Sequence, residues 1–286
     1  MRLKEVLRGK VPPDLVDLVP ASFDIVGSRG RAVAILELDD RLVPYGELIA
    51  EELMRMHKSV RAVYRKASER KGDYRVRELE LLAGEPVTEV LHKEHGYLLK
   101  LDISKVYFSP REATERQRVA SKVRPGETVM VMFAGVGPYA VAIAKAQPLV
   151  AQIIAIEINP EAYRYLVENV HLNKLEGKIT PVLGDVREKA PAFRRCCDRV
   201  VMPLPKGAYM FLDEAIDCLA GRGVIHFYYW GAEGRAFEEG YELVRRAAEK
   251  HGCLSELLET RVVSPYAPRV YKVAIDVLVN CGEAAR

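Results

Sequence analysis

No run of about 18 apolar residues occurs in this chain, so no membrane span is expected. The N-terminus, MRLKEVLRGK, has no apolar stretch behind it, which argues against a signal peptide. Cysteine is sparse. The five present are Cys196, Cys197, Cys218, Cys253 and Cys281, and none forms a C-x-x-C pair. That odd count argues against a zinc site and against a disulfide framework, and a cytoplasmic, reducing location fits best. No internal repeat or low-complexity tract is visible, which removes repeat architectures. The net charge is only +3, a value that speaks neither for nor against nucleic acid. Asn and Gln are few beside Glu, Arg and Lys, a thermophile-like balance.

What is present suits a packed protein. The chain has 286 residues, 49% apolar and 29% charged, enough for one large or two modest domains. SFDIVG and RAVAILEL read as strands, and GELIAEELMRMH as an amphipathic helix with Leu48, Ile49, Leu53 and Met56 at helical spacing. RVRELELLAG and TEVLHKEHGYLLKLDIS read as strands with turns at Gly84-Glu85 and His95-Gly96. A small α+β domain is expected over residues 1–105. In Ser109-Pro110-Arg111-Glu112 a helix should begin, with Ser109 as cap, Pro110 at the first position and Glu112 closing a capping box.

From Val106 the texture changes. TVMVMFAG, QIIAIEIN, ITPVLGDV, DRVVMPLP and GVIHFYYW alternate with helical segments, which predicts an α/β fold with a parallel sheet over 106–286. ELLETRVVSPYAP and RVYKVAIDVLVN have no helix between them and predict an antiparallel hairpin at a sheet edge.

Phe133-Ala134-Gly135-Val136-Gly137-Pro138-Tyr139 lies between a predicted strand and helix. Glycines there let the backbone approach a ligand, and the helix N-terminus behind them favours negative charge. The pattern by itself also fits a ligand-free turn or a nicotinamide site. Two acids sharpen it. Glu157, about twenty residues beyond the glycines, ends the second strand, where a carboxylate accepts ribose hydroxyls. Asp185 follows the third strand in Gly184-Asp185-Val186 and can receive an adenine amino group. Against nicotinamide stand the late start of the glycine loop, the closing hairpin, and the Pro203-Leu204-Pro205 turn after the fourth strand. Together these features resemble the Rossmann-like S-adenosylmethionine-dependent methyltransferases, with Phe133, Gly135, Gly137, Glu157, Ile158, Asp185, Val186, Pro203 and Pro205 as cofactor contacts.

HKSVRAVYRK, YRVRELELLAG, LDISKVYFSPREATERQR, VMFAGVGPYAVAIAK, EINPEAYRYLVENVHLNKLEG, GDVRE and SPYAPRVYKVAIDV extend the match. In this order they resemble the archaeal and eukaryotic tRNA guanine-37 N1-methyltransferases, which are related to the aminocarboxypropyl transferases of the wyosine pathway. GDVRE and LPK look like the methyltransferase versions. The small tRNA-elbow domain of many such enzymes finds no counterpart ahead of SFDIVG. The family's usual Asn-Leu-Pro is Pro203-Leu204-Pro205 here, so the first position cannot donate a hydrogen bond.

The resemblance makes Glu115 the general base for guanine N1, and its plainer reading is an i, i+4 partner of Arg111. It makes Arg75 the cation that stabilises charge on guanine O6, against a strand-surface charge that Arg77 would share. Tyr107 and Arg111 would shape the pocket, and Arg116 would contact the methionine carboxylate. A sulfonium donor needs no metal, and none is expected. The partner implied is the anticodon loop and stem of tRNA, met by a monomer. Nine Lys/Arg between Arg55 and Arg77 face only Glu69 and Asp73, and a second basic stretch runs from Lys105 to Arg124. Such clusters suit phosphates, or else form a solvated face. The resemblance leaves a wyosine-pathway alternative at the same tRNA position, either methylation of the tricyclic precursor or aminocarboxypropyl transfer; a non-catalytic RNA-binding module on the same fold and a nicotinamide oxidoreductase are the other competing classes.

Overall fold

The structure, a computed structural model, describes residues 2–28, 30–68 and 77–282. It divides into two compact units, Met1–Arg111 and Glu112–Arg286.

The first unit opens with helix α1 (Leu3–Leu7). Strands β1 (Asp24–Val26), β2 (Ala32–Leu36), β3 (Val60–Lys66) and β4 (Leu79–Gly84) form a sheet in the order β1-β2-β3-β4. Only β2 and β3 run parallel, joined by helix α2 (Gly46–Met56). The α2 stripe read from the sequence turns inward, with Ile49 and Leu53 fully buried against Leu3, Leu7, Leu36 and Val63. Gly84 ends β4 where a Cβ would lie 2.1 Å from the Arg61 carbonyl oxygen, so no side chain fits there. Strands β5 (Glu89–Glu94) and β6 (Tyr97–Asp102) form a hairpin. Its two turn residues, His95 and Gly96, both have positive φ, as a two-residue hairpin turn requires.

In the second unit, α3 (Ala113–Ser121) follows a 3-10 turn over Pro110–Glu112. Glu112, not Ser109, therefore occupies the N-cap of α3, and it makes no side-chain capping bond. Its carboxylate pairs with Lys272 at 2.8 Å instead.

The sheet contains β7 (Thr128–Val131), β8 (Gln152–Glu157), β9 (Ile179–Leu183), β10 (Cys197–Met202), β11 (Leu219–Ala232), β12 (Leu254–Ala267) and β13 (Val270–Asn280). Their order is β12-β13-β11-β10-β7-β8-β9. The first five are parallel, and β13 lies antiparallel to both β11 and β12. Val129, Met130 and Val131 are completely buried, as a strand covered on both faces must be. Helices α4 (Pro138–Ala146) and α5 (Pro160–Leu172) pack on β8 and β9. The short α6 (Val186–Lys189) follows β9, and α7 (Leu212–Cys218) and α8 (Ala236–Lys250) pack toward β10–β13. Strand order reverses between β7 and β10, which opens a crevice at their carboxyl ends, where sheets of this kind take ligands.

One expectation fails. Cys253 and Cys281 form a disulfide. An odd count does not forbid one pair, and only the fold reveals which. Leu254 is opposite Asn280 in the β12–β13 ladder, so the residues just outside that rung meet. Cys196, Cys197 and Cys218 are free. Among the described residues no helix is long and apolar enough to cross a membrane, and no cluster of three or more His, Cys, Asp or Glu is arranged to hold a metal.

Candidate active site

Four segments converge on the carboxyl edge of the parallel strands: 132–137 after β7, Glu157 ending β8, Gly184-Asp185 after β9, and 203–205 after β10. The backbone locks them together. Met132 N–H donates to Val201 O at 3.0 Å, Ala134 N–H to Ile156 O at 2.9 Å, and Gly184 N–H to Glu157 O at 2.9 Å.

Within the loop, Phe133, Gly135 and Gly137 have φ of 56°, 57° and 89°. A positive φ at a phenylalanine is uncommon and concentrates at sites the surroundings over-determine. The Phe133 ring packs edge-on against Phe211 at 4.9 Å, and the Arg187 guanidinium lies 4.2 Å above the Phe211 ring. Gly137 caps α4, and a Cβ there would sit 2.5 Å from Leu166 Cδ1. Pro138 at the first helical position loses no hydrogen bond.

Glu157 holds this loop directly. Its Oε2 accepts from Gly135 N–H at 2.6 Å and its Oε1 from Asn159 N–H at 2.8 Å. Burial raises its pKa, and the backbone donors of Asn159, Gly135 and Ile158 pull against that rise. With three backbone donors around roughly four lone-pair sites, the carboxylate keeps an acceptor position for a ribose hydroxyl. Asp185 caps α6 by accepting from Arg187 N–H at 2.8 Å, with the Arg187 guanidinium 3.7 Å away. Val186 opens α6 and is buried, and Ile158 is half-buried. After β10, Leu204 N–H bonds Met202 O at 2.8 Å, closing a tight turn around Pro203, and Pro205 is buried. The turn closes without any donor at position 203.

The sequence reading assigned no role to Asn169, which the structure places at the centre of this loop's support. Fully buried on α5, it donates from Nδ2 to Val136 O at 2.9 Å and accepts on its own carbonyl from Asn173 Nδ2 at 2.8 Å. The signal was present. Asn169 falls on the stripe of Ala162, Tyr165, Leu166 and Val170, where an amide needs a buried partner.

Glu115 is buried on α3. Its Oε1 accepts from Arg118 Nη2 at 2.7 Å and Tyr228 Oη at 2.5 Å, and its Oε2 from Arg118 Nε at 2.9 Å. Arg111 pairs with Asp24 at 2.5 Å, so Glu115's partner on its own helix is Arg118 rather than Arg111. The shorter i, i+3 reach puts the guanidinium fork flat against the carboxylate. Tyr139, one residue into α4 beyond Pro138, donates to Tyr228 Oη at 3.1 Å. Glu115 is thereby tied to the helix that the glycine loop starts. Burial pushes both tyrosines well above their ordinary pKa, so both act as neutral donors.

Arg118 also grips Asp276 on β13, at 2.6 and 3.1 Å. Burial alone would lower the Arg118 pKa, but the Glu115 and Asp276 carboxylates outweigh it. Burial opposes ionisation of Asp276 too, yet His226 and Arg118 hold its pKa well below the usual range. Burial lowers the pKa of His226, which sits 2.7 Å from Asp276 through Nδ1 and 2.8 Å from Arg199 through Nε2. Because Arg199 can only donate, Nε2 accepts and the ring is neutral with its proton on Nδ1.

Arg116 is buried too. Tyr107 is half-buried and Arg111 exposed, both in the first unit. Arg75 lies outside the described residues. In the second basic stretch Arg116 and Arg118 turn inward and Lys122 binds Asp276 at 2.8 Å and also Glu259, while Lys105, Arg111 and Arg124 are exposed. In the first stretch Arg55 pairs with Glu52, Arg65 with Glu80 and Lys66 with Glu37, while Lys58 and Arg61 stay exposed.

The TRM5/TYW2 methyltransferase domain matches residues 90–256, and the TYW2 N-terminal domain residues 3–88. The chain belongs to the TRM5/TYW2 methyltransferase family. A tRNA (guanine(37)-N(1))-methyltransferase Trm5b of Pyrococcus abyssi is 46% identical over 270 residues, 94% of this chain and 78% of that protein. Among solved structures, a complex of aTrm5 with tRNALeu superposes with a TM-score of 0.85 at 41% identity, covering 98% of this chain and 78% of the other. P. horikoshii TYW2 in complex with MeSAdo superposes at 0.80 and 32% identity, covering 98% of each chain. Both branches of the TRM5/TYW2 family thus share the fold described above.

Proposed function

We propose that this protein transfers the methyl group of S-adenosylmethionine to N1 of guanosine 37 in tRNA. The observation that carries the reading is Glu115: a buried carboxylate tied through Tyr228 and Tyr139 to the helix behind the glycine loop. Glu157 and Asp185, with lone pairs left over, fit a ribose and an adenine amino group, and Gly137, where a Cβ would strike Leu166, lets the loop turn closely into α4. When bound, the cofactor supplies a methyl group on a positive sulfur. Phe133, Ile158, Val186, Pro203 and Pro205 line its nucleoside and methyl ends, and Arg116 meets its carboxylate. Glu115 Oε1 is saturated by two donors, whereas Oε2 receives only Arg118 Nε and keeps a lone pair for the guanine proton. As that proton leaves N1, the N1 electron pair would be free to bond the methyl carbon while the carbon–sulfur bond would break with its electrons going to sulfur, which would leave as a neutral thioether, and Arg75 would neutralise charge on O6. Tyr107 and Arg111 shape the guanine pocket.

The protein acts as a cytoplasmic monomer on the anticodon loop and stem, where the target base leaves its stack most readily. Incubating a G37 tRNA transcript with protein and donor should add one methyl mass to a guanosine. A nucleoside mass spectrum with no added methyl on G37 overturns the reading. A second reading is favoured by the TYW2 N-terminal match over residues 3–88 and by Pro203 replacing the usual Asn. It is transfer of the aminocarboxypropyl group to the wyosine precursor, and the same spectrum on precursor-bearing tRNA reveals it by a much larger increment.

A further inference from the structure

A general base gripped by both arms of an arginine fork is a weak base, because the positive charge favours its ionised form. The Glu115–Arg118 pair has this geometry, and the reading above needs Glu115 to accept a proton. Asp276 resolves the conflict. It lies on β13, 158 residues from Arg118 in sequence, and takes the same guanidinium through Nη1 at 2.6 Å and Nη2 at 3.1 Å. We propose that Asp276 is a positioning residue: by taking the outer edge of the Arg118 guanidinium it divides that charge and fixes the fork against Glu115, the carboxylate that takes the guanine N1 proton.

Every charged group around the pair bears on this. On α3 and just beyond it are Glu112, paired with Lys272 of β13, and Lys122, shared between Asp276 and Glu259 of β12. Buried Arg116 acts on Tyr139 of α4. From β11 come Tyr228, donating to Glu115, and neutral His226, donating to Asp276. From β10 comes Arg199, neutralised by Glu127 at 2.8 and 3.0 Å. The bonded chain Glu115–Arg118–Asp276–Lys122–Glu259, joined through His226 to Arg199–Glu127, holds four carboxylates and three cations. One carboxylate is in excess, and Asp276 is saturated by Arg118, Lys122 and His226. Glu115 Oε2, with its single donor, has a lone pair open to the guanine N–H. The proton leaves guanine N1 and bonds to Oε2, and the electron pair stays on N1.

This inference rests on Glu115 being the base, and the test separates the two. Single-turnover methylation of a G37 transcript is followed against pH for the wild type and for Asp276→Asn, Glu259→Gln and Glu115→Gln. Asp276→Asn removes the closer of the two carboxylates that share Arg118 with Glu115, leaving only Glu259 at 3.5 Å from Nη1. The acid limb should move down by about one pH unit or more, and the plateau rate should fall between about 3- and 10-fold. Glu259→Gln takes away the carboxylate 3.5 Å from Arg118 and lets Lys122 draw harder on Asp276. It is a half-buried change at the edge of the network, and it should shift the limb the same way by a smaller amount. If Asp276→Asn does not fold, Asp276→Glu, which keeps the charge and moves it by one methylene, replaces it, and an acid limb unmoved from wild type then overturns the role of Asp276. Acid limbs that coincide with wild type, with Glu115→Gln inactive, overturn the role of Asp276. A Glu115→Gln variant with wild-type turnover overturns the base itself.

Discussion

Replacing Glu157 with Gln tests the anchor on which the cofactor reading depends. The carboxylate accepts from Gly135 N–H at 2.6 Å and from Asn159 N–H at 2.8 Å, one on each oxygen. An amide offers a single oxygen. Whichever way it turns, its NH2 faces one of these two N–H groups, and that donor is left unsatisfied in a buried place. An orphaned buried donor costs about 1–3 kcal/mol, and the surviving bond also loses charge assistance. Unfolding in urea should therefore show a loss of about 2–3 kcal/mol. The glycine loop loses its tie and the ribose loses an ionised acceptor. Titration with S-adenosylhomocysteine should show affinity falling between about 10- and 100-fold, or about 1.4–2.8 kcal/mol. There is also a pH signature. Burial raises the Glu157 pKa, so its own share of stability is greatest in acid and is lost as pH rises through the folded value; Gln abolishes that dependence. Affinity within twofold of wild type in Glu157→Gln, whatever its stability, would refute the cofactor role.

Gly137→Ala should cost about 1–2 kcal/mol from the left-handed backbone alone. The 2.5 Å approach to Leu166 Cδ1 adds to that, so both melting temperature and nucleoside affinity should drop, and a variant matching wild type in both counts against the loop geometry. Acidification should destabilise the second unit. The depressed His226 pKa gives stability that is full above the ordinary imidazole range and fades below it, and depressed Asp276 adds a further loss in stronger acid. Melting curves between pH 7.5 and about 5 should fall, and His226→Gln should flatten that slope. Cys281→Ser should lower stability by about 3–4 kcal/mol in the chain-entropy account, given a sequence separation of 28 between the paired cysteines. Equal urea midpoints with and without reductant would show that the bond contributes nothing.

Much of this protein was legible in one dimension because local patterns carry it. The apolar run TVMV, the glycines at 135 and 137 and the acid ending QIIAIE are short-range features, and each adopts the structure that its own backbone and burial needs dictate. Alternating strands and helices, then two β-runs without a helix, sufficed to foresee a parallel sheet with an antiparallel hairpin at one edge. The motifs themselves pointed to the TRM5/TYW2 family. Only the tertiary structure decided who partners whom across the chain. Glu115 turned to Arg118 and Tyr228 and not to Arg111, Glu112 to Lys272, and Cys253 to Cys281. Arg118 and Lys122, which read as a basic surface, were drawn inside by Asp276. Such choices depend on burial and on residues up to 160 positions away, as Lys272 is from Glu112, and a buried charge takes whichever partner the packed sheet brings within reach.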